Sequence, residues 1–384
     1  MRICFICGSM EPGKDGVGDY TRRFAGELIR QGYQAVVLAI NDRHIKTTIQ
    51  EFQQDEQESI SVLRLPAQMS WKDRVDPAKD FLEEFQADWL SLQYVPHAFQ
   101  DKGMPLALCG FLNKIQTNGI KWHFMLHELW VGELKTESFK LQIIRILEQF
   151  ILKKLIIQLH PKLMHTSNEL YRSFLLCRLG FESKILPVFS NISISNEKSE
   201  LNFNFLNLSV KDIQNNRNDY FIVTNFGSYY YKWWDIKDAI FELEKMAKLK
   251  GKNLLLVSLG KISIDEKKHW DYFSKKTKTL ILGMQSEENI IAWLRDYTDI
   301  GVVTTPYLLL NKSGSFQALK SCKVPVLVLK KSWPYRVPIT MDKSEADYFF
   351  LGEEHKIIKN EDKIVIDSSL VSVTQKIINS MNQS

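Results

Sequence analysis

The chain has 384 residues, room for two domains of ordinary size. Hydrophobic residues make up 45% and charged residues 25%, which supports a large core and excludes long disordered stretches. A balance of 50 Lys+Arg against 45 Asp+Glu leaves +5, which excludes a dedicated nucleic-acid binder but suits phosphorylated ligands or an anionic membrane surface.

Taken in chain order, short apolar runs alternate with amphipathic segments. Residues 2–7 read as a strand, 17–30 as a helix and 33–40 as a strand. Further strands are expected at 61–65, 89–92, 121–126, 163–166 and 183–188, mostly separated by helical spacing. Such alternation implies right-handed βαβ units and a parallel sheet flanked by helices. Between 190 and 219 the pattern breaks into Asn, Ser and charge, as in a linker. It restarts with strands at 220–226, 253–259, 278–282, 300–304 and 325–329 and helices at 233–249, 287–295 and 314–321. A last amphipathic segment, 368–381, is placed to pack back across the junction. The expected fold class is α/β, with a domain at 1–190, a linker at 191–219, a second domain at 220–367 and a returning helix at 368–384.

The five cysteines are odd in number and irregularly spaced, so a secreted disulfide framework is not expected. Cys4 and Cys7 form a CxxC inside an apolar run, where cysteine behaves as a small hydrophobe. The N-terminus shows no signal-peptide cleavage pattern, and no apolar stretch reaches the ~18–20 residues that span a bilayer. A cytoplasmic protein is the expectation.

Ligands of open α/β sheets bind beyond the carboxyl ends of the strands, and four loops there carry unusual residues. The first, Gly8 to Arg23, contains Gly16, Gly18 and Asp19 ahead of a helix, a combination that lets backbone amides approach a phosphate. It is not the dinucleotide fingerprint, since Thr21 stands where a third small residue is required, although Asp42 leaves a ribose-binding role open. The second loop holds Tyr94 and His97. The third, His127-Glu128-Leu-Trp130-Val-Gly132, sets an imidazole and a carboxylate at a strand end, where either can orient a sugar or phosphate or move a proton. In the fourth, Lys312-Ser313-Gly314-Ser315 opens a helix and gathers amides, hydroxyls, a lysine and a helix dipole, a suitable diphosphate cradle. Simple capping by Ser313 needs only one of these residues.

In this order PGKDGVGDYTRR, LQYVPHAF, HELWVG, FGSYYYKWW and NKSGSFQALKSCKVPVLV make the chain resemble the retaining GT-B glycosyltransferases of family 4, also called glycosyl transferases group 1. The resemblance implies two Rossmann-like domains facing a central cleft, with a nucleotide-sugar donor held mainly by the second and an acceptor mainly by the first. Gly16 and Gly18 then look like glycines at the donor diphosphate, and His127, with Glu128, like the catalytic pair near the transferred sugar. Gly227 matches the glycine closing the first strand of the donor domain, and Lys232, Lys312, Ser313, Gly314 and Ser315 match its diphosphate-binding side. Asp19, Tyr94, His97 and Trp130 fall on the acceptor side.

The family often carries Glu-x7-Glu, the second Glu holding the ribose hydroxyls; here those positions are Leu310 and Ala318. Ser228 replaces an arginine and Lys323 a glycine. No cofactor beyond the donor and no metal are expected, and no Asp-x-Asp occurs in the chain. The expected partners are a UDP- or GDP-sugar and a glycan or lipid-linked acceptor of the bacterial surface, not nucleic acid. The missing acidic pair leaves a non-catalytic partner of another glycosyltransferase as the alternative. Residues 138–162 carry Lys140, Arg145, Lys153, Lys154 and Lys162 against the single acid Glu148, a composition that fits a core helix whose basic side meets anionic lipid.

Overall fold

The computed structural model describes residues 1–116, 119–190, 208–227, 229, 236–305, 307–329, 334–339, 348–351, 355–358 and 369–384. The chain divides into two compact units, the first formed by Met1–Asn191, Trp333–Met341 and Ser368–Ser384 and the second by Ile192–Ser332 and Asp342–Asp367.

The first unit is built from β1 (Arg2–Cys7), α1 (Gly16–Arg30), β2 (Gln34–Asp42), β3 (Ile49–Asp55), β4 (Glu58–Pro66), α2 (Val75–Phe85) and β5 (Trp89–Tyr94). It continues through α3 (Pro96–Phe99), α4 (Leu106–Ile115), β6 (Lys121–Leu126), α5 (Phe139–Leu159), β7 (Leu163–Thr166), α6 (Glu169–Leu179) and β8 (Lys184–Ile185). The strands form one sheet in the order β3-β4-β2-β1-β5-β6-β7-β8. All its neighbours are parallel except β3, which runs antiparallel to β4. That strand, IQEFQQD, is a polar edge without a clean apolar alternation, so the sequence pattern passes over it. Helix α1 shows how residues set the frame. Asp15 caps it, Tyr20, Phe24 and Leu28 recur at four-residue spacing to face the sheet, and Gly32 follows its end at φ +82°. Cys4 and Cys7 are fully buried in β1, and burial pushes both thiols above their ordinary range.

The second unit contains α7 (Leu208–Asn215), β9 (Tyr220–Phe226), α8 (Ile240–Leu249), β10 (Asn253–Leu259), α9 (Ile264–Ser274), β11 (Lys278–Gly283), α10 (Glu287–Tyr297) and β12 (Ile300–Val302). After these come α11 (Gly314–Ser321), β13 (Val326–Leu329), β14 (Tyr348–Leu351) and β15 (His355–Ile358). Its sheet order is β11-β10-β9-β12-β13-β15-β14. The strands β9 to β13 pair in parallel, whereas β15 is antiparallel to both β13 and β14. Helix α7 lies inside the stretch read from sequence as linker, a difference that reflects its eight-residue length and Asn-rich surroundings. The earlier part of that stretch, 191–207, is outside the described residues.

The segment 334–339 and the final helix α12 (Leu370–Asn382) both belong to the first unit. Val373, Ile377, Ile378 and Met381 of α12 join Phe5, Phe24 and Leu28 in one buried cluster. At about 1.5–3 kcal/mol per fully buried side chain, this helix is a large fraction of what holds the unit together. Among the described residues no helix is long and apolar enough to cross a membrane.

Candidate functional site

In the first unit, the loop after β1 is fastened from several sides. The Oδ2 of Asp42, fully buried, accepts from the Met10 amide at 3.1 Å and from Arg64 Nε at 2.8 Å, while its Oδ1 accepts from the His44 amide. Arg64 also reaches Glu11 at 2.5 Å and Glu51 at 3.1 Å, so one guanidinium joins the loop to β2 and β3. Burial raises the Asp42 carboxyl, but Arg64 and the two amides outweigh it and hold the group below the ordinary range. Asp42 is therefore an anchor of this loop, which corrects the ribose-binding role left open by its position. A β-carbon on Gly8 would strike Ala98, and Asn41 Nδ2 donates to Ala98 O at 2.9 Å, so the loop also meets the segment carrying His97.

Asp15 Oδ1 accepts from the Val17 and Gly18 amides at 2.9 and 2.8 Å. The capping carboxylate thus takes two of the donors that the sequence pattern offers to a phosphate. Gly18 is required on steric grounds, since a β-carbon there would overlap Ser9 O, whereas Gly16 faces open space. Asp19 closes the loop on itself, accepting from the Gly13 amide at 3.0 Å and pairing with Arg22 at 2.5 Å.

His127 is buried beside this helix. Its ring meets Tyr20 edge-on at 4.9 Å, and its Nε2 lies 2.9 Å from Gln93 Oε1. The His127 and Glu128 amides both donate to Tyr94 O, and the Glu128 side chain is exposed. Of the four residues expected on an acceptor side, His97 is exposed and Asp19 half-buried. Tyr94 is fully buried, and Trp130 is 8% exposed, as is His127. The large rings at the strand ends are drawn into the core, Trp130 stacking near Phe174 and donating from its indole to Glu133 at 2.9 Å. Glu133 in turn binds Arg178 and Arg145.

The surroundings of two groups here were not foreseen from the sequence. Fully buried Glu148 accepts from the Val131 amide at 2.9 Å beneath the His127 loop; burial, with Glu128 nearby, pushes its carboxyl up to about 7 against that bond. The other is a run of buried polar side chains, Ser91, Gln93, His123 and His165, ending on His127.

In the second unit, Gly227 follows β9 at φ +87°, and a β-carbon on it would overlap Ser315 Oγ. Gly260, after β10 at φ +120°, packs against Gly227 as well. These bare backbones leave room at the N-terminus of α11, where Ser313 caps the helix by accepting from the Phe316 amide and the Thr305 hydroxyl donates to it. The structure therefore brings together Gly227, Ser313, Gly314 and Ser315, with Lys312 ending the preceding turn. Gly260 is an addition that its place at a strand end signals. Lys232 and Ser228 lie outside the described residues. Among the described residues no group of three or more His, Cys, Asp or Glu is placed to hold a metal.

Comparison with known proteins gives a fold. No family model matches the chain, and no curated protein does. Among solved structures, it is similar to a UDP-GlcNAc 2-epimerase from Neisseria meningitidis bound to UDP-GlcNAc, at TM-score 0.51 and 12% identity over 100% of both chains. It is similar to a sucrose-phosphate synthase from Thermosynechococcus elongatus at TM-score 0.51 and 13% identity, over 85% of this chain and 80% of that one. An α,α-trehalose 6-phosphate synthase from Burkholderia multivorans gives 0.50 and 11%, over 100% and 91%. The fold is of the GT-B class. At these identities the likeness concerns architecture alone.

Proposed function

We propose that the chain is a glycosyltransferase that moves a sugar from a nucleotide-diphosphate donor to a hydroxyl of a glycan or lipid-linked acceptor, with retention and without a metal. The observation that carries this reading is the glycine and serine cluster of the second unit. Gly227 and Gly260 let the strand ends pack closely against the N-terminus of α11, and the amides of Gly314 and Ser315 with the helix dipole offer stabilisation to an anionic leaving group. Lys312 adds positive charge there. As the bond to the anomeric carbon stretches, charge develops on the departing diphosphate, and donors held in place lower that barrier without reorganising. His127 serves the transferred sugar, and the capped loop at Gly16 and Gly18 serves mainly to fix α1 beside it. A solved structure of similar fold supports the choice of donor, since its name describes a protein bound to UDP-GlcNAc.

A second reading, a sugar-nucleotide epimerase, is favoured by the end-to-end match with the epimerase chain. Incubating the protein with UDP- and GDP-sugars, with and without acceptor glycans, separates the two. Transfer or donor hydrolysis that His127→Ala reduces at least 100-fold supports the first reading, acceptor-independent epimerisation the second. Failure to bind UDP or GDP in calorimetry would favour a non-catalytic partner.

The membrane side of the proposal rests on α5. Its later turns bury Ile151, Leu152, Leu155, Ile156 and Leu159, but Phe139, Ile143, Ile146, Phe150 and Ile157 form an exposed stripe at helical spacing. Exposed Lys140, Lys153 and Lys154 flank it. Apolar side chains bordered by lysines suit the headgroup region of an anionic bilayer, which would hold the enzyme at the inner face of the plasma membrane near a lipid-linked acceptor.

A further inference from the structure

Five side chains of the first unit are linked in an unbroken buried series. His127 Nε2 lies 2.9 Å from Gln93 Oε1, Gln93 Nε2 lies 2.8 Å from Ser91 Oγ, Ser91 Oγ 2.8 Å from His123 Nδ1, and His123 Nε2 3.0 Å from His165 Nδ1. The sheet makes this possible. Ser91 and Gln93 share one face of β5 by their two-residue spacing. Parallel register sets Ser91 opposite His123 on β6, and His165 on β7 opposite Met125, two residues further along the same face of β6. Four of the five are at most 2% exposed and His127 is 8% exposed, so water does not compete for these bonds.

The series has a direction. Gln93 Nε2 also faces the Ser91 carbonyl oxygen at 3.5 Å, and a carbonyl only accepts, so the amide nitrogen is turned towards Ser91 and the amide oxygen towards His127. The proton order that continues this direction has Ser91 Oγ accept from Gln93 and donate its hydrogen to His123 Nδ1. His123 then carries its proton on Nε2 and donates to His165 Nδ1. Such an order requires two neutral imidazoles. Burial pushes His123 well below its ordinary range and His165 down to about 4, so both are neutral at pH 7.

We infer that Gln93, Ser91, His123 and His165 are positioning residues that fix a proton on Nε2 of His127 and hold its ring in place. With Nε2 committed as a donor in both protonation states, any gain or loss of a proton at His127 takes place at Nδ1. Each bond in the series polarises the next, so the distant His165 contributes to the orientation of His127 without touching it. The catalytic weight of this chain rests on the transferase reading, but the arrangement of protons does not, and the test reads the ring directly.

Ring-15N-labelled full-length protein, examined by two-bond 1H–15N correlation at pH 8, reports which nitrogen of His127 is protonated, the signals being assigned by their loss in His127→Asn. The expected wild-type pattern is a single Nε2–H form. Ser91→Ala and Gln93→Leu are each expected to move both His127 nitrogens towards the average of the two tautomers, and Ser91→Thr, which keeps the hydroxyl, to restore the wild-type values. All are compared in protein whose backbone amide spectrum matches wild type. A wild-type Nδ1–H form would overturn the inference. So would unchanged His127 nitrogens in Ser91→Ala, even with a response to Gln93→Leu, because a single contact would then suffice.

Discussion

The Oγ of Ser315 occupies the space that a β-carbon on Gly227 would enter. Strand β9 and helix α11 are thereby held close enough that one hydrogen in place of a methyl group decides whether the helix N-terminus keeps its position. Gly227→Ala is expected to cost roughly 1–3 kcal/mol, from the left-handed backbone and from the displaced serine. UDP or GDP affinity should fall at least tenfold with it. Adding Ser315→Ala should recover the steric part and leave the backbone part, a comparison that urea unfolding of the single and double variants makes directly.

Arg64 joins three carboxylates, one of them the fully buried Asp42. Removing it as Arg64→Met should destabilise the protein by roughly 3–5 kcal/mol at pH 7, because the Asp42 charge is left buried without its partner. In the native protein the depressed Asp42 contributes stability above the ordinary carboxylate range and loses it as pH falls through its lowered value. In the variant only the Met10 and His44 amides oppose burial, so Asp42 takes up its proton at a higher pH and the deficit should shrink on going from pH 7 to pH 4. Chemical denaturation at both pH values checks the sign.

Glu148 has the opposite sign. Its carboxyl is raised to about 7, so its contribution is full below the ordinary carboxylate range and is lost as pH rises through 7. Glu148→Gln keeps an acceptor for the Val131 amide and removes the charge. The variant should match wild type near pH 4 and exceed it at pH 8 by on the order of 1–2 kcal/mol, a figure discounted for solvent screening. Equal thermal unfolding at pH 8 would show that burial does not penalise this group.

The exposed stripe of α5 should respond to lipid charge. Flotation with vesicles containing anionic lipid is expected to carry the protein, and neutral vesicles to carry much less. Ile146→Ser with Phe150→Ser should abolish flotation while leaving the unfolding curve within about 0.5 kcal/mol, since both side chains face outward. Binding that survives in the double variant would assign the contact to another surface.

The parallel strands and the main helices were legible because buried strands such as residues 121–126 and 253–259 are short, mostly apolar runs set between segments of helical spacing. The edge strand β3 and the short α7 were not, since a polar edge and an eight-residue helix leave little periodicity. Within the candidate sites, Ser315 stands out in the Lys-Ser-Gly-Ser run that opens a helix, whereas Gly227 came only with the family resemblance. His123 and His165 do not stand out, because each reads as one polar interruption of a strand. Their meaning depends on which strand lies beside which, and that is a property of register. Asp42 misled for a related reason, as its partner Arg64 lies 22 residues away on a neighbouring strand. For Tyr94 and Trp130 the sequence gives a place near a strand end but not the direction of the rings.

The chain passes from one unit to the other at Asn191–Ile192, Ser332–Trp333, Met341–Asp342 and Asp367–Ser368. Within the first unit the returning segment is woven in: Leu134 bridges Tyr335, the Lys135 amide donates to Pro334 O, and the Arg336 amide donates to Glu133 O. Exchange of the second unit between proteins of this architecture by a single recombination point would therefore leave a recipient sheet without its own strap and closing helix. Only a transplant that cuts at every crossing, or that carries the apolar face of α12 unchanged, would give a chimera with a complete first core. The connectivity thus ties any exchange of the second unit to residues that lie in the first.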